Sequence, residues 1–247
     1  MGAKELKAAI LTEAVQGKLV PQIASEGNAR DLLEEIRKAK GAESLPLAPA
    51  RNRSSATPSA GSTAARNARF SPIAEDEIPF EIPENWCWCR IGEIFNLQAG
   101  KTISSSDIFT SSETAKYLCY GGNGIRGYVK NYNREGFYAL IGRQGALCGN
   151  INYANGKFYA TEHAVVVETF CNTDVKWSGI FLEALNLNQY ATATAQPGLA
   201  VRNINEVPIP LPPLAEQHRI VRALEQFMPL LDEYARKEKA LAELLLR

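Results

Sequence analysis

Residues 208–247, PIPLPPLAEQHRIVRALEQFMPLLDEYARKEKALAELLLR, decide how the rest of the chain is read. Pro208, Pro210, Pro212 and Pro213 restrict φ and withhold backbone donors, so residues 208–213 are extended and deliver the chain into a helix. Along that helix Ile220, Leu224, Phe227, Leu231, Tyr234, Leu241 and Leu245 recur at alternating four- and three-residue steps, with Glu238 in the one polar gap. This is a heptad seam. It predicts a long helix that pairs with another, from this chain or a second copy, rather than one lying only on its own domain. Pro229 falls inside the pattern and predicts a kink.

Working outward, residues 177–190 place Trp177, Ile180, Phe181, Ala184, Leu185 and Asn188 at helical spacing. Residues 86 to about 170 read as β structure: Trp86 and Trp88 alternate with Cys87 and Cys89. Strand-like runs follow at 117–120, 127–132, 137–141 and 158–167, parted by Gly- and Asn-rich turns. At the N-terminus, residues 4–16 carry Leu6, Ile10, Leu11, Ala14 and Val15 on one helical face, closed by Gly17 and Pro21. A second helix over residues 29–40 has Leu32, Leu33 and Ile36 on one side. Its acids (Asp31, Glu34, Glu35) come early and its bases (Arg37, Lys38, Lys40) late, which complements the helix dipole. Residues 51–69, RNRSSATPSAGSTAARNAR, hold four arginines, no acid and nothing to build a core, so they read as a linker. The fold class is α+β: a globular domain with a twisted mixed or antiparallel sheet, short N-terminal helices and a long C-terminal coiled-coil helix. The predicted divisions are 1–50, 51–75, 76–213 and 214–247.

Composition excludes several classes. The 27 basic residues equal the 27 acidic ones, so bulk charge gives no argument for nucleic-acid binding. Five cysteines without a C-x-x-C pair argue against a disulfide framework. No apolar run approaches a bilayer span, the N-terminus lacks a signal-peptide core, and Leu6 stands where N-myristoylation requires Ser or Thr. A cytoplasmic protein is expected.

No residue set reads as catalytic or metal-binding. Gly122–Gly127 (GNGIRG) fits G-x-G-x-x-G, but a strand-like run rather than a helix follows, so it reads as a hairpin turn and not a dinucleotide site. His163 and His218 with Cys87 and Cys89 lack metal-ligand spacing. Glu162-His163-Ala164 lacks the lysine of an Asp…Glu-x-Lys nuclease centre. What the β region does carry near its turns is Tyr120, Asn123, Arg126, Lys130, Arg143, Gln144 and Asn150. Arg, Asn and Gln are the types that grip guanine and adenine edges, and Lys with glycine-turn amides suits phosphates. Spacing alone does not separate these residues from ordinary solvated turns.

Five stretches resemble the specificity (S) subunits of type I restriction-modification systems: residues 6–22 (LKAAILTEAVQGKLVPQ), 32–40 (LLEEIRKAK), 76–94 (DEIPFEIPENWCWCRIGEI), 141–149 (IGRQGALCG) and 197–221 (PGLAVRNINEVPIPLPPLAEQHRIV). The resemblance implies a target recognition domain over 76–213, flanked by helices that form an antiparallel coiled coil and dock methyltransferase (M) subunits. It implies that the chain reads one half of a split double-stranded DNA site and does no chemistry itself. S-adenosylmethionine then belongs to the M subunits, and ATP and Mg2+ to restriction (R) subunits. Such subunits carry two recognition domains and this sequence holds one, so it is a natural half-subunit or part of a longer chain. The expectation is a homodimer through Ile220, Leu224, Phe227, Leu231, Tyr234, Leu241 and Leu245. The expected DNA-binding set is Lys101, Tyr120, Asn123, Arg126, Lys130, Arg143, Gln144 and Arg202. The alternatives are the specificity region of a type IIB- or IIG-like enzyme, and a scaffold that binds the methyltransferase without reading DNA.

Overall fold

The computed structural model describes residues 2–43, 70–145, 147–192 and 198–245. The linker expected at 51–69 and the side chain of Leu245 lie outside the described residues. In chain order the elements are α1 (Ala3–Val15), α2 (Ala29–Glu43), β1 (Cys87–Arg90), α3 (Ile91–Ile94), β2 (Asn96–Ala99), β3 (Tyr117–Gly121), β4 (Gly124–Val129), β5 (Arg134–Gly142), β6 (Ile151–Ala160), β7 (Ala164–Glu168), α4 (Val175–Ala184), α5 (Val201–Asn205), β8 (Pro208–Leu211) and α6 (Leu214–Leu245).

The proline-rich segment is a strand. β8 pairs antiparallel with β1, Ile209 opposite Cys89 and Leu211 opposite Cys87. Alternate residues of a strand aim their N–H groups to opposite edges, so Pro208 and Pro210 share the edge away from β1 and no ladder bond is lost. Pro212 and Pro213 then lead straight into α6.

The other six strands form one mixed sheet in the order β2-β7-β5-β6-β3-β4, antiparallel except for the β3–β6 pair. Period-two alternation sorts its faces. Ala139, Ile141, Val165 and Val167 join the main core with Trp177, Phe181 and Leu182 of α4, Ile36 of α2, and Ile220 and Leu224 of α6. Leu140, Ala154, Phe158, Ala160, Ala164 and Val166 point the other way, into a second cluster with Tyr120 built only from strands. The sheet curls to enclose that cluster. Lys101, just past β2, donates its N–H to the Ala160 oxygen at 3.0 Å, and Arg134 at the start of β5 reaches Gln98 Oε1 of β2 at 2.6 Å.

Three sequence expectations change here. The strand expected at 127–132 is β4, Gly124–Val129, so of the turn expected over 122–127 only residues 122–123 are turn. Residues 158–167 are not one strand: the chain turns at residues 161–163, with Ala164 donating back to the Thr161 oxygen at 2.9 Å. Apolar character on both sides of the break made the run look continuous, because β7 is buried on both faces. The helix expected over 177–190 ends at Ala184, where Asn186 adopts a left-handed conformation (φ 46°) and a 3-10 turn follows over Leu187–Tyr190. Its start is fixed by Asp174, which accepts from the N–H groups of Lys176 and Trp177.

The heptad seam of α6 divides. Ile220, Leu224 and Leu231 are buried at home. Helix α1 runs antiparallel beside α6, its Ala3 N–H donating to Glu238 Oε2 at 3.0 Å. Where α1 leaves the chain, Arg219 clamps Glu26 and the Pro21 oxygen. Phe227, Tyr234 and Leu241 remain 40%, 42% and 59% exposed, and Leu230 and Leu244 add to the same bare side. So α1 and the domain core already serve as partner for part of the seam, and a stripe rotated away from them is left uncovered.

Candidate nucleic-acid interface

Four turns meet at one end of the curled sheet: residues 100–101 after β2, 122–123 between β3 and β4, 143–150 between β5 and β6, and 161–163 between β6 and β7. Backbone bonds tie them together. Thr161 N–H donates to the Tyr120 oxygen at 2.9 Å and Arg143 N–H to the His163 oxygen at 2.9 Å. The approach is so close that a Cβ on Gly142 would lie 2.0 Å from the Gly122 oxygen. With its amide oriented to satisfy both ends, Asn150 donates to the Leu147 and Gly122 oxygens (2.7 and 2.8 Å) and accepts from Asn152 Nδ2 at 3.1 Å.

Onto this frame the structure brings Lys101, Asn123, Arg126, Arg143 and Gln144. All but the half-buried Arg143 are exposed. Arg126 lies over Gly121, where a Cβ would meet its Cδ at 2.5 Å. Arg143 anchors its Nε on the Leu199 oxygen at 3.0 Å, while its two terminal nitrogens have no partner among the described residues. Gln144 bridges to Gly198 through the backbone, so its amide is not needed for the fold. Arg202 is exposed on α5, three residues beyond Leu199, and is tied to the four turns only through that segment. Lys130 stands apart at the far end of β4, its ammonium 5.3 Å from the Phe109 ring centre. There it lines a polar cavity of about 430 Å³ with Thr102, Ser104, Asp107 and Tyr159.

Tyr120 is a correction. It was expected on the surface, yet it is 7% exposed and packs edge-on against Phe158 at 5.6 Å, and burial raises its phenol above the ordinary range. The bulge between Cys119 and Tyr120 shifts the β3–β4 register at that point, and the ring joins the inner cluster. Tyr120 supports the turns from beneath.

Charge is distributed unevenly. On the helical side several cations are paired: Lys7 with Glu183 at 3.1 Å, Arg37 with Glu93 at 2.5 Å, Arg219 with Glu26 at 2.7 Å, and Lys176 with Glu225. At the sheet end, none of Lys101, Arg126 and Arg143 makes an ion pair among the described residues. A net charge of zero therefore conceals a local positive surface interleaved with two amides, Asn123 and Gln144. That combination suits a polyanion whose base edges are read.

Sequence reasoning missed the residues 161–163 as part of this end. Glu162 Oε1 lies 3.3 Å from His163 Nε2. Buried polar atoms Thr161 Oγ1, Glu162 Oε2 and His163 Nδ1 have no partner among the described residues. A signal existed, since Thr-Glu-His interrupts an otherwise apolar run.

The described residues hold no group of three or more His, Cys, Asp or Glu placed to bind a metal, and no helix long and apolar enough to cross a membrane. Burial pushes the Cys87 thiol up to about 11 and raises the Cys89 thiol well above its ordinary value, so both are inert thiols in the core.

Comparison with known proteins gives a consistent result. Residues 83–243, more than half the chain, match the family model described as the type I restriction modification DNA specificity domain. The chain is 48% identical over 138 residues to the type I restriction enzyme EcoprrI specificity subunit of Escherichia coli, covering 56% of this chain and 34% of that one. Its fold is similar to that of the S subunit of a type I restriction-modification system from M. genitalium (TM-score 0.52, 20% identity, 68% of this chain and 44% of that one). It is also similar to a chain from a structure of the assembly and conformational transition of the type I system (TM-score 0.56, 20% identity, 98% of this chain and 55% of that one). The chain thus spans from about a third to just over half the length of these relatives.

Proposed function

The chain belongs to the family of type I restriction modification DNA specificity domains, and on that premise we propose that it reads one half of a split site in double-stranded DNA for an adenine methyltransferase. The observation that carries this reading is the unpaired positive end of the sheet, where Arg143, Asn123 and Gln144 stand on a backbone-locked frame. Rigid placement matters because a base edge is discriminated only by donors and acceptors held in register. Lys101 and Arg126 supply phosphate contacts beside them. The M subunits, which enclose the DNA, neutralise most of the remaining phosphates, so a neutral chain suffices.

In this reading residues 76–213 are the recognition domain and the chain is non-catalytic. S-adenosylmethionine is bound by M subunits, and ATP and Mg2+ by R subunits. The chain works in the cytoplasm, where those partners and the chromosome are. A second copy supplies the other half-site by pairing along the exposed stripe of α6, with Phe227 and Leu241 at its centre.

The test is a genome-wide map of methylated adenines in cells expressing the methyltransferase partner with and without this chain. One split motif present only with the chain is the expected result. An unchanged map, with the methyltransferase present and bound to the chain, would mark a scaffold that reads nothing.

A further inference from the structure

We infer that Glu162 is a specificity-determining residue, its carboxylate accepting a hydrogen bond from the exocyclic amino group of a cytosine or adenine in the half-site. The inference deepens the proposed function and rests on it.

Its position comes first. Glu162 is the middle residue of the turn between β6 and β7, which is fastened to the reading end by the Arg143–His163 and Thr161–Tyr120 backbone bonds. Burial raises the Cys119 thiol, and Arg126 lowers it while Glu162 raises it, so the Arg126 and Glu162 charges act on the same spot beside the β3–β4 hairpin.

Its bonding comes second. The carboxylate has one partner, His163 Nε2 at 3.3 Å, and its second oxygen has none among the described residues. Arg126, Lys101 and Arg143 do not pair with it, although each is a cation at the same end of the sheet. A carboxylate that served only to fix the turn would be expected to fill both oxygens, because buried acceptors are ordinarily satisfied. Rotation about the terminal torsion of Glu is soft, so this group turns toward a new donor while losing only one long contact.

Chemistry then selects the ligand. A carboxylate among phosphates is repelled by the backbone, so it contributes only where a donor meets it. In the major groove the donors on base edges are the N4 amino group of cytosine and the N6 amino group of adenine. Guanine O6 and thymine O4 are acceptors and would be repelled. One carboxylate thereby admits two bases and rejects two.

The experiment compares methylation maps of cells expressing the methyltransferase with the wild-type chain, Glu162→Gln or Glu162→Ala. The expected result is that one position of the half-site, occupied by C or A in the wild type, loses its preference over G and T by about tenfold in Glu162→Ala, while Glu162→Gln, whose amide both accepts and donates, retains adenine but no longer excludes G and T when the base is cytosine. The remaining positions stay fixed. The base found there in the wild-type map distinguishes cytosine from adenine. Glu162→Gln keeps the size of the side chain and guards against a folding defect in Glu162→Ala. An unaltered motif in Glu162→Ala, or an even loss of methylation across all positions in both variants, overturns the inference. A wild-type chain that directs no motif overturns the proposed function itself, and that outcome is visible before any variant is made.

Discussion

Arg143 is the residue whose substitution is most informative. Its Nε is fixed on the Leu199 oxygen and its forked end is unengaged among the described residues, the geometry for a bidentate grip on guanine. Arg143→Ala should weaken binding to the preferred site by about 1–3 kcal/mol and relax one base position, as measured by titration against single-base site variants. An equal loss on all sequences would mark a phosphate contact instead. A second residue, Arg90, governs stability. It is buried, grips Glu77 with both terminal nitrogens (2.6 and 2.8 Å), and donates to the oxygens of Ser71, Pro72 and Glu206. Through it the segment before β1 is held to the domain. The Arg90 guanidinium pulls the Glu77 carboxyl down from 4.5 to about 2. The unfolded chain therefore takes up this proton first as pH falls. The stability that the pair contributes is whole above pH about 4.5 and is lost toward pH about 2. Denaturation midpoints of wild type and Glu77→Gln should accordingly differ near neutrality and converge in acid. Midpoints that keep a constant gap down to pH about 2 would count against the pair.

Elements were legible in the sequence where their pattern was long or their ends were marked. The helix from 214, a hairpin within 122–127 and the two N-terminal helices could be read directly, because proline, glycine and 3.6-residue periodicity are local signals. The turn at 161–163 was missed although Thr161, Glu162 and His163 mark it, because β7 is buried on both faces and the apolar residues flanking the three suggest one strand. The candidate site was legible as residue types but not as a place: only the curl of the sheet carries Lys101 to Ala160 and Gly122 to Gly142. Tyr120 was misplaced for the same reason, as no local cue says which face of a bulged strand is inside. For α6, periodicity revealed a seam but not how much of it α1 would cover. The uncovered part supports a dimer prediction. Leu241 is 59% exposed, so Leu241→Glu leaves the monomer's core intact. It should remove about 1.5–3 kcal/mol per copy from an interface that buries this side chain. Light scattering should give the mass of two chains for wild type and of one for Leu241→Glu. A one-chain mass for wild type at all concentrations would sink the dimer.

At the scale of the whole molecule, helices and reading end are separate regions joined through one core. The β sheet presents its polar turns at one end, while α4 packs on its outer face and α1 and α6 pack in turn on α4. If two copies associate through α6, the two reading ends are related by a twofold axis, so the methylated motif is an interrupted palindrome. Two unlike half-sites in the same map would require a second, different recognition domain. The way the reading end is held together has a bearing on how such a protein changes over generations. Its frame consists of main-chain bonds, the Gly122–Gly142 contact and the Asn150 amide, whereas Asn123, Arg126 and Gln144 add nothing to the lock. Exchanging those three side chains leaves the scaffold as stable as before, within about 0.5 kcal/mol. If that end reads DNA as proposed, a lineage can change the sequence it recognises in single steps without losing the fold.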